Sequence, residues 1–203
     1  MGLIKGITIQ LNEADGTEYA VDNALVMVAG QKQDPQAGWD MGSLLADYTI
    51  SIPKDDTHNW KGARAVFFGE TWEIIAVSGM TIPHLTPLSW NRRAYVVREM
   101  SDSITLRTLR GRTKGDHNIC ADDYKEVDVS ALLNPNTVAG VYNANRDGRL
   151  YARRVLVRQE DFNGAGTETK EPKRCIADGV EYTIDSYERI GDVVMLLNLI
   201  REV

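Results

Sequence analysis

AVFFGETWEIIAV, residues 65–77, is the stretch whose reading decides the fold. It reads as a strand, a tight turn at Gly69–Glu70 and a second strand, with Gly69 supplying the positive φ that such a turn needs. Val66, Phe68, Trp72, Ile74 and Ala76 fall on alternate positions, as strands with one buried face require. Residues 175–187, CIADGVEYTIDSY, repeat the shape: an apolar run, Gly179, then an aromatic and an isoleucine. Gly69, Trp72 and Ile74 align with Gly179, Tyr182 and Ile184, the signature of a repeated β module.

Outward from the two hairpins the segments also repeat. Residues 4–11 alternate as a strand, NEADG at 12–16 is turn chemistry, and 24–29 form an apolar strand. Residues 46–52, ADYTISI, form a strand that Pro53 ends, and a polar loop follows at 54–62. Residues 93–100 close the first module. SITLRTL from Ser103 resembles ITIQLN from Ile7, and LYARRVLV at 150–157 matches ADYTISI. QEDFNGAGTETKEP at 159–172 matches the 54–62 loop, and 192–201 form the last strand. Residues 31–42 and 108–117 are expected as loops, 124–129 as a short strand and 132–139 as a turn. No window holds a clear 3.6-residue period; only 41–46 and 128–133 suit single helical turns. The expected fold is all-β: two small antiparallel barrels or sandwiches, an internal duplication with long loops, at 1–100 and 101–203.

Composition narrows the function classes. A chain of 203 residues with 43% apolar content can bury a core in each half. The formal net charge of −6 is not the basic footprint of a dedicated duplex-DNA binder. The two cysteines, Cys120 and Cys175, have no metal-ligand spacing and read as buried small hydrophobes in a reducing compartment. MGLIKGITIQL lacks the apolar run and cleavage site of a signal peptide, and no stretch reaches membrane-span length, so cytoplasmic synthesis is expected.

Candidate chemistry is sparse. His58 beside Asp55 and Asp56 has the residue types of a metal or acid–base cluster but no second histidine at ligand spacing; a solvated acidic loop is the simpler reading. Glu160–Asp161 mirrors that pair in the repeat, which favours a structural role. His84 and His117 have no nameable partner, and GRTKGDH at 111–117 lacks the context of a phosphate loop. Arg107, Arg110, Arg112 and Lys114 cluster, and Arg153, Arg154 and Arg158 lie in or beside a strand. A solvated face or salt bridges between subunits account for them most simply, with contact to passing nucleic acid as the alternative. The aromatics are not spaced as a stacking platform for single strands.

DYTISIPKDDTHNWKGARAVFFGETWEIIAV followed by SWNRRAYVVRE resembles the head-to-tail connector, or stopper, proteins of tailed bacteriophages. ADGVEYTIDSYERIGDVVMLLNLIRE is similar to the DGVEY hairpins of small head-completion and neck proteins. The likeness covers 45–99 and, more loosely, 150–201; a typical member has one such module and this chain has two. The resemblance implies a non-enzymatic virion protein, made in the bacterial cytoplasm and placed at the head–tail junction. It implies a cyclic ring, hexamer or dodecamer, between the portal or adaptor ring and the tail terminator or tail tube. Packaged double-stranded DNA would pass through that ring, and no cofactor, metal or membrane is expected. In that setting Trp39, Trp60 and Trp90 are candidate anchors between subunits or rings, and Arg107, Arg110, Arg112 and Lys114 candidate DNA-channel contacts. Loops 31–42, 54–62 and then 108–117 are the candidate gates. The alternatives are a tail-completion or tail-terminator protein and a β-barrel nucleic-acid-binding module. An enzyme is disfavoured, since nothing assembles a nucleophile, base and orienter.

Overall fold

A computed structural model describes residues 6–29, 45–79, 90–114, 120–135 and 153–201. The chain divides into two compact units at the Glu99–Met100 junction. The first contains strands β1 (Ile7–Asn12), β2 (Glu18–Val28), β3 (Tyr48–Pro53), β4 (Arg64–Phe67), β5 (Glu70–Gly79) and β6 (Trp90–Arg98). The second contains β7 (Asp102–Lys114), β8 (Cys120–Leu133), β9 (Arg153–Arg158), a short helix α1 (Gln159–Ala165), β10 (Arg174–Ala177), β11 (Val180–Ile190) and β12 (Val194–Ile200).

Each unit is a closed antiparallel barrel. The cyclic order is β1-β2-β3-β6-β5-β4 in the first and β7-β8-β9-β12-β11-β10 in the second, the same arrangement of successive strands. The β1–β4 and β7–β10 pairings close the two circles and remove free strand edges. The cores are separate: Leu11, Ile50, Ala65 and Ile74 help fill one, and Leu106, Val155, Cys175 and Leu197 the other.

The hairpins correspond residue for residue. Ala65 pairs with Trp72 and Cys175 with Tyr182. A register shift falls between Ile74 and Ala76 and recurs between Ile184 and Ser186, bending both second strands at one place. The turns lie one residue earlier than the sequence predicts, on Phe68–Gly69 and Asp178–Gly179, each with φ positive at both central residues. Such a turn follows the twist of its strands. The alternation predicted for the first strand is therefore out of phase: Ala65 and Phe67 face the core, while Phe68 is 70% exposed. Trp72 and Ile74 are buried as expected.

The connection between third and fourth strands plugs one end of each barrel. In the first it is the 54–62 loop, which buries Trp60; in the second it carries α1, which buries Phe162. Here the loop expected at 159–172 begins as a helix. Its seven residues are too few to display a period, and partners from the sheet satisfy its end: Lys125 Nζ donates to the Gly164 and Gly166 carbonyls, both at 2.7 Å, and Thr108 Oγ1 to that of Ala165 at 2.9 Å. Two further expectations are corrected. Residues 108–114 are strand rather than loop, and 128–133 are strand rather than helical turn, because β7 and β8 pair from Asp102–Ala131 to Lys114–Cys120. The loop at 31–42 and most of 41–46 lie outside the described residues.

Candidate functional site

The acidic loop of the first barrel is organised around a buried carboxylate. The Asp56 side chain is 5% exposed. Its Oδ2 accepts from Trp60 Nε1 at 2.5 Å, and its Oδ1 lies 2.5 Å from His58 Nδ1 and accepts from the His58 amide. Arg92 reaches in from β6, with Nη2 3.6 Å from Oδ2 and donating to the Asp56 carbonyl. The His58 ring packs on Tyr19, with centroids 4.1 Å apart. A buried carboxylate requires such partners, so this cluster fastens the plug in place. It corrects the reading of a solvated acidic loop and explains why Trp60, 1% exposed, is a core residue rather than an anchor between subunits. Among the described residues no group of three His, Cys, Asp or Glu is placed to hold a metal.

Beside the plug an open groove of about 460 Å3 runs between β2 and the 53–58 segment. Its lining is mostly polar: Asp22, Asn23, Lys54, Asp55, Asp56 and His58, with Ala20, Val21 and Pro53 between them.

The opposite ends of the two barrels correspond in backbone and differ in chemistry. In the first, Tyr48 packs edge-on against Phe67 and Trp72, at 5.7 and 4.8 Å between centroids. Phe67 stacks on Trp72, and Phe68 meets the edge of Phe67 at 5.3 Å. The Trp72 indole N–H has no hydrogen-bond partner there. In the second barrel Arg153 holds the place of Tyr48, Asp178 that of Phe68 and Tyr182 that of Trp72. Arg153 donates to Asp178 at 2.6 Å, and its guanidinium lies over the Tyr182 ring. One end is thus an aromatic cluster with an exposed knob, the other a self-paired ionic cluster.

The arginine cluster lies along β7 instead of in a loop. Arg107 is held by Glu181 at 2.7 Å, with its guanidinium 4.5 Å from the Tyr124 centroid, which makes it part of the wall. Arg112 is 72% exposed with Asp122 3.0 Å away, and Arg110 is exposed. Lys114 belongs to the strand, and its side chain lies outside the described residues. Trp90 opens β6, half-buried, and donates to the Asn23 carbonyl at 2.7 Å. Trp39, His84 and His117 lie outside the described residues. Cys175 is buried, and burial pushes its thiol up to about 12, as a core residue requires. Among the described residues no helix is long and apolar enough to cross a membrane.

Comparison with protein-family models, characterised proteins and solved structures gave no match. The residues that sequence reasoning missed are Arg92 and Tyr48, and for Arg153, which it placed on a strand, it missed the partner Asp178. Their roles depend on which strands become neighbours, and spacing along the chain does not carry that.

Proposed function

We propose that this chain is a structural virion protein of the tailed-phage neck, a ring-forming head-to-tail connector or stopper that joins the portal or adaptor to the tail. The observation that carries this reading is one barrel built twice, with the same strand order, plugged ends and matching bulges, in a chain whose 45–99 stretch resembles connectors. Closed barrels present no edges, so they suit rigid wall segments whose contacts are made by ends and loops. The −6 net charge would let DNA slide past instead of sticking, with Arg110 and Arg112 the exposed arginines of the β7 cluster. A tail-completion or tail-terminator protein is the runner-up within the same structural class.

The test is negative-stain imaging of phage particles decorated with antibody against this chain. Label at the head–tail junction is the expected result, and label along the tail rejects the connector reading. The exposed β7 arginines favour one second reading, a nucleic-acid-binding module. A salt-sensitive mobility shift of DNA oligomers at micromolar protein would support it; the connector reading expects none.

A further inference from the structure

Arg93 is a cation without an anion. It lies on β6, where Ala94 and Val96 face the first core, so Arg93 and Tyr95 project from the outer face of the barrel. The Arg93 side chain is partly buried, and its Nε is wholly so, with no hydrogen-bond partner. Among the described residues no carboxylate forms an ion pair with it. A guanidinium keeps its proton in a protein, so titration cannot remove the charge. A buried polar atom left over in a folded chain calls for a water or an ion. Water can fill the hydrogen bond, but only an anion balances the charge.

The second barrel has the same backbone without the charge. The row Ser51–Arg93–Ser78 across β3, β6 and β5 corresponds to Leu156–Leu196–Glu188 across β9, β12 and β11. Leu156 and Leu196 are both buried, so ordinary apolar packing serves the position and the fold does not need an arginine there. In the first barrel a serine stands directly opposite Arg93 on each neighbouring strand, with its side chain on the same face. The Ser78 hydroxyl meets Tyr95 Oη at 3.5 Å, long for a hydrogen bond, which leaves it able to donate elsewhere. One unpaired guanidinium is thus flanked by two hydroxyl donors. A carboxylate spends both its oxygens on a guanidinium fork; a tetrahedral oxyanion keeps further oxygens for the hydroxyls.

We propose that Arg93, with Ser51 and Ser78, forms a site for a tetrahedral oxyanion, phosphate or sulfate, on the outer face of the first barrel. The site does not rest on the neck reading. Trp39, Trp60, Trp72 and Trp90 are the tryptophans of the chain and all precede the Glu99–Met100 junction, so tryptophan fluorescence follows the first barrel. The test is thermal unfolding of the full chain, read by that signal, in sodium phosphate against sodium chloride of equal ionic strength. Arg93→Leu is the comparison, because Leu196 shows that the backbone accepts leucine. Wild type is expected to gain about 5 °C in about 50 mM phosphate, and Arg93→Leu to lose most of that gain. Equal gains in the two chains would be the general action of phosphate on folded proteins and overturn the site. A second measurement needs only the wild-type fold: phosphate titration of the arginine Nε–H resonances in isotope-labelled protein. The Arg93 resonance, identified by its loss in Arg93→Lys, should shift saturably at millimolar phosphate while that of the exposed Arg112 does not. A shift that does not saturate, or that Arg112 shares, overturns the site, and an equal response to acetate overturns the tetrahedral assignment.

Discussion

Asp56 shows how a residue that reads as solvated becomes structural. Its carboxylate leaves water only because the Trp60 indole N–H and the His58 amide replace the lost hydrogen bonds and Arg92 supplies a countercharge 3.6 Å away, from positions 4, 2 and 36 residues along the chain. Removing the carboxylate strands the buried indole N–H and takes the countercharge from Arg92, which keeps its bonds to the Asp56 and His58 carbonyls. Asp56→Ala is therefore expected to destabilise the first barrel by about 3 kcal/mol, in the range for breaking one side of a buried charged cluster. Urea unfolding followed by tryptophan fluorescence, with Trp60 and Trp72 both buried in this barrel, measures this; a change under 1 kcal/mol would mean that the network is solvated after all. The sequence placed Asp56, His58 and Trp60 in one loop but gave no means to choose between solvent and core. Arg92 decides it, and Arg92 arrives only because β3 and β6 are neighbours.

Strands and turns were legible where the pattern is local. Gly69 and Gly179 mark the hairpins, and the one-residue error in turn position has a definite cause: Phe68 lies where an apolar residue suggests strand, yet it takes the turn conformation. Residues 108–117, which begin within β7, read as a loop because the stretch is basic and carries two glycines, Gly111 and Gly115. In the barrel Gly111 falls at a register shift, and Arg110, Arg112, Asp122 and Asp123 are exposed. The helix α1 was hidden by its length. Its carboxylate Asp161 gives it a pH signature. Burial, with help from neighbouring Glu160, raises the Asp161 pKa against the opposing pull of Arg158. A carboxyl whose folded pKa is raised favours the folded state only while protonated, so its contribution is present below the unfolded pKa and is lost as pH rises through the folded one. Asp161→Asn should accordingly raise the denaturation midpoint at pH 7 and leave it unchanged at pH 3. Thermal melts at the two pH values check this, and equal shifts at both would remove burial as the cause.

At the scale of the molecule, the repeat visible in the sequence is a repeat of packing. The same strand order, hairpin register and bulge recur, while the interiors share no side chain: Leu11 and Ile74 belong to one core cluster, Leu106 and Leu197 to the other. What the sequence could not show is the divergence, aromatic at one barrel end and ionic at its counterpart, because equivalence between Tyr48 and Arg153 exists only through their pairing with Val96 and Leu199. Closed sheets with separate cores should lose structure separately. Leu11 and Leu197 are both fully buried, so truncation of either to alanine is expected to cost about 3 kcal/mol through lost apolar contact and the cavity left behind. Native-state hydrogen exchange distinguishes the barrels, because protection of an amide reports the opening of its own cooperative unit. Leu11→Ala should accelerate exchange at the paired amides of β5 and β6 and leave β11 and β12 at wild-type rates; Leu197→Ala should do the reverse. Equal acceleration in all four strands for either variant would show one cooperative body. The plugged barrel would then no longer be the unit in which this chain folds, and the ring would have to be reasoned from the whole chain instead of from two wall segments.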